Sequence, residues 1–510
     1  MDLEVLPSGL KTVVSEKGGL EVRIYYLECL AQATYIISHE GAAFIVDPRR
    51  DVDVYIKDLA EHKLKLKGIL ETHFHADFVS GHCELARRTG ATIYFGPGAA
   101  SRTQFTIHEM KDGEVIELSS RYAIRAIHTP GHTPESVVYL IQEGDKPLKA
   151  FTGDTLMIGS CGRPDLVGSI GHTADQMARL MYNSLWKKLA VLPDSVQIFP
   201  AHGAGSPCGK NLGSALYCTI GTQKLTNPAF HYQNEDEFVE FLTADQPVAP
   251  QYFPHTATKN WVGVEDVAEE LSRVPYLSPA EFHNLLGSGR EYTVIDTRKP
   301  KDFFAGHIAG SLSFSLGGAG GAVVGAEDGN FAIWVGTLVS SSAELLIVAE
   351  SGREGETLQR LSRIAFTNVK GVLKGGIDAY KDAGFALEFF QRIDLREPET
   401  SLESLLASGH RLIDVRTETE YNGNTATSAT NMPLATLPTQ LDKLDRSVDY
   451  VAFCVSGYRS AIATSLLRKA GFRVRDIFGG FAAINWTAPS HTTSGAVCPR
   501  MKEIADSLFK

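Results

Sequence analysis

The stretch Thr72-His73-Phe74-His75-Ala76-Asp77 brings two imidazoles and a carboxylate close together in the chain. In an extended segment His73 and His75, two apart, project to one side. Three further ligand-type residues each follow a short apolar run: His132 in Thr129-Pro-Gly-His132, Asp154 in Phe151-Thr-Gly-Asp154, and His202 in Phe199-Pro-Ala-His202. A lone histidine after a strand is more often structural. A whole set of imidazoles and carboxylates, each at a strand end, is the donor set of a metal centre. Metal binding is the expectation.

A second chemistry is written at Cys454-Val-Ser-Gly-Tyr-Arg459-Ser460, between an apolar run and a helix expected over 461–470. Successive loop N–H groups and a helix N-terminus make an anion cradle. With Arg459 beside it, the Cys454 thiol is driven toward thiolate and a persulfide on it is stabilised. Cys454 and Arg459 are the expected catalytic pair of that loop.

These residues need elements to hold them. From residue 22 to about 245, buried-strand-length runs such as Tyr35–Ser38, Ala43–Asp47, Gly68–Thr72, Tyr122–Ile127, Ala150–Gly153 and Val196–Phe199 alternate with turn signals. Helical spacing runs over Val54–Lys63 and Ala174–Leu189, so a layered α/β domain is expected over 1–245. Composition then shifts to Pro, Gln, Tyr and Thr, and 246–270 reads as a linker whose aromatics favour packing. Beyond it lies an internal repeat. Val294-Ile-Asp-Thr-Arg298, Leu345–Ala349 and Gly375-Gly376 are matched by Leu412-Ile-Asp-Val-Arg416, Tyr450–Cys454 and Gly479-Gly480. Two small α/β domains are expected, at 271–392 and 393–492, followed by a tail at 493–510. The Gly-rich stretch Gly317–Gly325 fits no phosphate-binding fingerprint and reads as a flexible loop.

The 510 residues carry a net charge of −11, with 43% hydrophobic and 21% charged residues. That is ordinary for a soluble multidomain protein and gives no basic face for nucleic acid. The amino terminus lacks the charge and apolar core of a signal peptide, and no run approaches the roughly 18 apolar residues of a membrane span. Seven scattered cysteines (Cys29, Cys83, Cys161, Cys208, Cys218, Cys454, Cys498) do not form a disulfide framework. A cytoplasmic location without membrane contact is expected; a homo-oligomer is compatible with the sequence, which leaves the oligomeric state open.

The order HxHxD, GH, GD, AH resembles the metallo-β-lactamase superfamily across essentially the whole first domain, which implies an αββα sandwich. In two-metal members the first motif runs HxHxDH; here the last position is Phe78, which has no lone pair to donate. A second ion would keep at most Asp77, His202 and a shared Asp154, so one ion is expected. Two imidazoles and a carboxylate with an open face suit non-haem Fe(II), which must bind substrate and O2 together. Within the superfamily the pattern is similar to the persulfide dioxygenases related to the ethylmalonic encephalopathy protein. That resemblance implies Fe2+ on His73, His132 and Asp154, with His75, Asp77 and His202 orienting ligands and water. A single zinc on His73, His75 and His132 is the competing arrangement.

Cys161-Gly-Arg163-Pro-Asp165 resembles the CGRxD stretch of the same family. It implies Arg163 as the grip on a substrate carboxylate, with a buried Arg163–Asp165 pair as the structural alternative. The segment after His202 resembles persulfide dioxygenases fused to rhodanese domains, with Cys208 and Lys210 as candidate substrate-binding residues and a buried structural thiol as the other reading of Cys208. The Cys454 loop looks like a rhodanese sulfurtransferase loop of the six-residue kind. The first repeat resembles an inactive rhodanese: Ala349 stands at the nucleophile position and Glu354 replaces the arginine. An α/β protein, a metallo-β-lactamase αββα sandwich followed by two rhodanese-like α/β domains, is thus expected. Its expected activity is oxidation of a small thiol persulfide by O2 to sulfite and thiol, coupled to sulfur transfer among sulfite, thiosulfate and persulfide. The alternatives are a thioester hydrolase of the glyoxalase II type and a sulfur relay with a vestigial metal site.

Overall fold

The computed structural model describes residues 10–16, 18–166, 171–210, 212–246, 248–317 and 330–509. The amino-terminal reading and the Gly-rich stretch after Gly317 lie outside the described residues. The chain divides into two compact units, Met1–Arg273 with Leu358–Thr367, and Val274–Thr357 with Asn368–Lys510.

The first unit is built on two sheets. One takes β1 (Leu10–Ser15), β2 (Glu21–Leu27), β3 (Gln32–His39), β4 (Ala42–Val46), β5 (Lys65–Leu70), β6 (Thr92–Phe95) and β7 (His108–Glu109) in that order. The other contains β8 (Val115–Glu117), β9 (Ala123–His128), β10 (Val137–Glu143), β11 (Lys146–Gly153), β12 (Gln197–Pro200) and β13 (Cys218–Thr219) as neighbours in sequence. β3 and β4 are buried along their whole length, because both faces of their sheet are covered. One face packs the apolar side chains of the two sheets together, among them Val22, Tyr35, Phe44, Tyr139, Phe151 and Phe199. The outer face of the first sheet is closed by α1 (Asp53–Glu61) and α2 (His82–Thr89) through Tyr55, Leu59 and Leu85. The outer face of the second is closed by α3 (Ala174–Asn183), α4 (Ile220–Thr226) and α5 (Glu235–Thr243), through Met181, Ile220 and Phe238. Four layers result, αββα, as expected.

The stretch 246–270 is not a linker. It holds α6 (Phe253–Val262) and the start of α7 (Val267–Ser272), and it belongs to the first unit. Tyr252 and Phe253 are buried, so the aromatics that gave the segment its unusual composition anchor it. Leu358–Thr367, inside the expected 271–392 domain, also belongs to this unit, where Arg363 grips Asp51 at 2.8 and 3.1 Å.

The second unit contains two parallel sheets. β14 (Tyr276–Leu277), β15 (Thr293–Asp296), β16 (Leu312–Ser313), β17 (Leu345–Val348) and β18 (Val369–Leu373) take the order β14-β18-β17-β15-β16. β19 (Arg411–Asp414), β20 (Thr430–Asn431), β21 (Asp449–Phe453) and β22 (Arg473–Asp476) take the order β20-β19-β21-β22. The repeated landmarks have a shared physical basis. Asp296–Arg298 and Asp414–Arg416 are the same buried ion pair, each 2.6 Å at the shorter contact, and each arginine also reaches a carbonyl, of Gly306 or Asn424.

Candidate metal centre and persulfide loop

His73, His132 and Asp154 arrive from different strand ends and bring one donor atom each within 4.8 Å of the others, all three side chains buried. His73 sits in the loop after β5, His132 between β9 and β10, and Asp154 directly after β11. Gly153 makes the last turn with φ +52, and a Cβ there would meet Thr72 Oγ1 at 2.5 Å, so only glycine delivers Asp154 to this place. His73 Nε2 and His132 Nε2 lie 3.9 and 3.5 Å from Asp154 Oδ2. Each ring is oriented by its other nitrogen: Nδ1 of His73 faces Thr72 Oγ1 at 3.0 Å, and Nδ1 of His132 faces the Arg163 carbonyl at 3.0 Å. An Nδ1–H given to that carbonyl leaves the His132 Nε2 lone pair facing Asp154. Two nitrogens and one oxygen converge on one point. The donor set fits a single divalent ion.

His202 holds the far side of Asp154. Its Nδ1 contacts the two carboxylate oxygens at 2.7 and 3.0 Å. Burial opposes ionisation of Asp154, yet His202, with His132 and His73, holds the carboxyl well below the usual range. Burial likewise opposes charge on His202, but Asp154 and Asp77 raise it well above an ordinary imidazole. His202 Nε2 lies 2.8 Å from Asp77 Oδ2 without completing an aligned hydrogen bond.

His75 turns elsewhere. Its Nε2 is 3.2 Å from Asp47 and 3.6 Å from Glu71, and its ring lies 4.3 Å from that of Phe78. Asp47 and Glu71 were not found from the sequence as part of the site, although Asp47 ends an apolar run as the other ligand-type residues do. Asp47 adopts φ +48 and accepts both the N–H and the hydroxyl of Thr72 at 2.8 Å, fixing the loop that carries the histidines. That loop is clamped from α6 as well. Asn260 donates to the carbonyls of His75 and Phe78 at 2.8 Å and accepts from the Ser80 N–H, while Tyr252 donates to the Asp77 carbonyl at 3.0 Å.

Asp77, His202 and Cys208 form a second buried group within 4.8 Å. The expectation that a second ion would find only Asp77, His202 and a shared Asp154 therefore omitted a donor, although Cys208, in the segment just after His202, was already a candidate site residue. Burial pushes the Cys208 thiol well up, with Asp77 and Asp154 adding to the effect. Arg163 is buried and bound to Asp165 through two contacts of 2.7 Å, the structural alternative to the carboxylate grip expected of it. Lys210 donates to the Ala244 carbonyl.

In the second unit, Cys454 follows β21 and is fully buried, with the Gly457 N–H donating to its Sγ at 3.1 Å. The helix Tyr458–Lys469 starts just beyond it. Arg459 is bound to Glu420 at 2.7 and 2.8 Å. The loop is backed by Gly480, where a Cβ would strike the Cys454 carbonyl at 2.4 Å. The Phe481 and Ala482 N–H groups donate to the carbonyls of Cys454 and Val455. In the first repeat the matching loop carries a carboxylate: the Gly352 N–H donates to Glu354 Oε2 at 2.9 Å.

Comparison with known proteins agrees with this architecture. The metallo-beta-lactamase superfamily profile matches residues 27–202. The cytoplasmic hydroxyacylglutathione hydrolase of Arabidopsis thaliana is 31% identical over 186 residues, 36% of this chain and 67% of that protein. The chain belongs to the metallo-beta-lactamase superfamily. The rhodanese-like domain profile matches 278–383 and 399–486, one stretch for each repeat. This superfamily member is 28% identical to a crystal structure of a metallo-beta-lactamase from Staphylococcus aureus subsp. aureus COL, covering 69% of this chain and 98% of that one at a TM-score of 0.59. ETHE1 from Myxococcus xanthus is 26% identical and matches 47% of this chain and 97% of its own, at a TM-score of 0.40. The chain spans 60% to 67% of the first hydroxyacylglutathione hydrolases it matches. No helix among the described residues is long and apolar enough to cross a membrane.

Proposed function

We propose that this chain is a mononuclear non-haem iron persulfide dioxygenase with an attached sulfurtransferase. The overall reaction is persulfide, O2 and water giving thiol, sulfite and two protons. The observation that carries the reading is the ligand geometry around Phe78. A phenyl ring stands where two-metal relatives place a ligating imidazole, and the neighbouring His75 faces Asp47 and Glu71 instead of the triad. A zinc on His73, His75 and His132 does not use that geometry, whereas a 2-His-1-carboxylate set of His73, His132 and Asp154 does.

Bound there, Fe2+ would supply the O2 chemistry. The chain's own residues do the rest. Thr72 and the Arg163 carbonyl aim the two histidines, and His202 keeps Asp154 ionised. His202 also lies between Asp154 and Asp77, so its positive charge offsets both carboxylates without a second cation. In the sulfurtransferase, Cys454 carries the sulfane sulfur. Its persulfide and sulfite exchange to thiolate and thiosulfate, the S–S bond of the enzyme breaking as that of thiosulfate forms. Sulfite is the product of the first site and a substrate of the second.

The second reading is metal-dependent hydrolysis of an acyl thioester. The Asp77–His202–Cys208 group favours it, since it offers donors for a second ion, and the Arabidopsis relative is named a hydrolase of that kind. Elemental analysis with an oxygen-electrode assay separates the two. One iron per chain and O2 uptake on adding glutathione persulfide are expected. Two ions per chain, with thioester hydrolysis that continues without O2, would overturn the first reading.

A further inference from the structure

A cavity of about 290 Å³ in the first unit has His132 in its wall. Phe74, Phe253 and Trp261 supply much of an apolar lining, and two charged side chains, Arg102 and Glu135, face into it. Phe74 comes from the loop of His73 and His75, and His132 belongs to the triad, so the cavity borders the triad at that ligand. Phe253 and Trp261 come from α6.

The two charges are held in place. Glu135 is buried, and its Oε1 accepts the Phe74 N–H at 3.1 Å. Arg102 donates from one nitrogen to Glu135 Oε2 at a long 3.4 Å, and its guanidinium carbon lies 5.6 Å from the centre of the Trp261 ring. A quarter of the Arg102 side chain remains exposed, at 25%. A guanidinium has five N–H donors in a planar fork, and this one is braced on an indole with most of the fork unengaged by Glu135. Such a fork matches a carboxylate through two parallel hydrogen bonds. The adjacent Glu135 sets a limit: its negative charge opposes a polyanion and tolerates a single carboxylate, with or without a neighbouring ammonium. Arg163 is already committed to Asp165 and lies buried, which leaves Arg102 as the guanidinium open to this cavity.

We propose that this cavity is the carrier subsite of the substrate, with Arg102 gripping a carboxylate of a small amino-acid or peptide thiol while its sulfur reaches the triad beside His132. A nucleotide-bearing thiol such as coenzyme A brings phosphates and no carboxylate to that fork, and Glu135 disfavours it. The inference rests on the proposed delivery of a thiol-borne sulfur to that triad, and its test does not require turnover. Calorimetric titration of the iron-loaded full chain with glutathione under nitrogen measures the subsite alone. Arg102→Met keeps an apolar stem on Trp261 and removes the fork; it should weaken glutathione by about tenfold or more. Arg102→Lys keeps charge without the fork and should fall between the two. Equal affinity in wild type and a folded, metal-loaded Arg102→Met would overturn the proposal, and equal affinity in Arg102→Lys would do so if the methionine variant did not fold. Persulfide kinetics add the specificity arm: KM for glutathione persulfide should rise with Arg102→Met, whereas an equal rise for coenzyme A persulfide would overturn carboxylate recognition. If glutathione binds as described and no O2 is consumed, the dioxygenase reading fails and the subsite stands. If O2 is consumed and Arg102→Met binds as wild type, the subsite fails and the dioxygenase stands.

Discussion

Asp154 is placed to serve two neighbours, the nitrogens of His73 and His132 on one side and Nδ1 of His202 on the other. Removing its carboxylate deletes one donor of three and leaves His202 without its closest partner. Asp154→Ala should therefore lose iron and O2 uptake together, as read by elemental analysis and an oxygen electrode; unchanged turnover would refute the ligand set. Glu420 shows the same economy in the second unit. Burial opposes its ionisation, but the Arg459 fork and the Thr417 N–H and hydroxyl bring its pKa from 4.5 to about 2. A carboxyl depressed in the folded state contributes stability above its unfolded pKa, and that contribution fades as pH falls from about 4.5 through about 2. Glu420→Gln should lower the melting temperature of the second unit's transition by about 2–4 °C at pH 7. The gap should close in acid, toward pH 2. A gap of constant size across that range would show that the ion pair is not its source.

Among the elements, α6 has the most consequence for the site. Asn260 ties two carbonyls and one N–H of the metal loop to a helix that contributes no ligand. Asn260→Ala leaves those buried groups unsatisfied, so it should cost about 1–3 kcal/mol in chemical denaturation. Iron should also dissociate faster into a chelator, because the loop is then held by fewer contacts. Wild-type stability and iron retention in that variant would mean the clamp has no positioning role. This helix is also where the sequence was least legible. Strands such as β4 and β11 announce themselves by apolar runs, and the repeat by its Asp-x-Arg pair, whose buried geometry recurs in both halves. α6 mixes Pro, Thr and aromatics, so composition spoke for a linker while burial of Tyr252 and Phe253 decided for a helix. His73 and His75 lie side by side, with ring centres 4.1 Å apart, but they serve different groups. The spacing had no means of showing that Asp47 and Glu71 would draw the second ring away, whereas the segment after His202 did mark Cys208 as a candidate, and the fold sets it beside Asp77.

At the scale of the molecule, the chain joins a metallo-beta-lactamase-type unit to two rhodanese-like repeats, and on the proposed reading the two chemistries share sulfite. The first unit holds the His73, His132 and Asp154 group, with His132 in the wall of a cavity, and the second holds the Cys454 loop and a repeat whose matching loop carries Glu354. A carboxylate accepting a loop N–H opposes an anion there, and Ala349 offers no sulfur to carry one, so on the proposed reading sulfur transfer runs through Cys454. Cys454→Ser replaces a fully buried thiol with a hydroxyl that cannot hold sulfane sulfur, at nearly constant volume. O2 uptake on glutathione persulfide should persist in this variant, because none of the triad's donors comes from the second unit. The sulfur balance should change: sulfite accumulates in place of thiosulfate when persulfide is supplied in excess, as ion chromatography of the products would show. Thiosulfate formed at the wild-type rate would move the carrier elsewhere, and Cys208, buried beside Asp77 and His202, would be the residue to replace next.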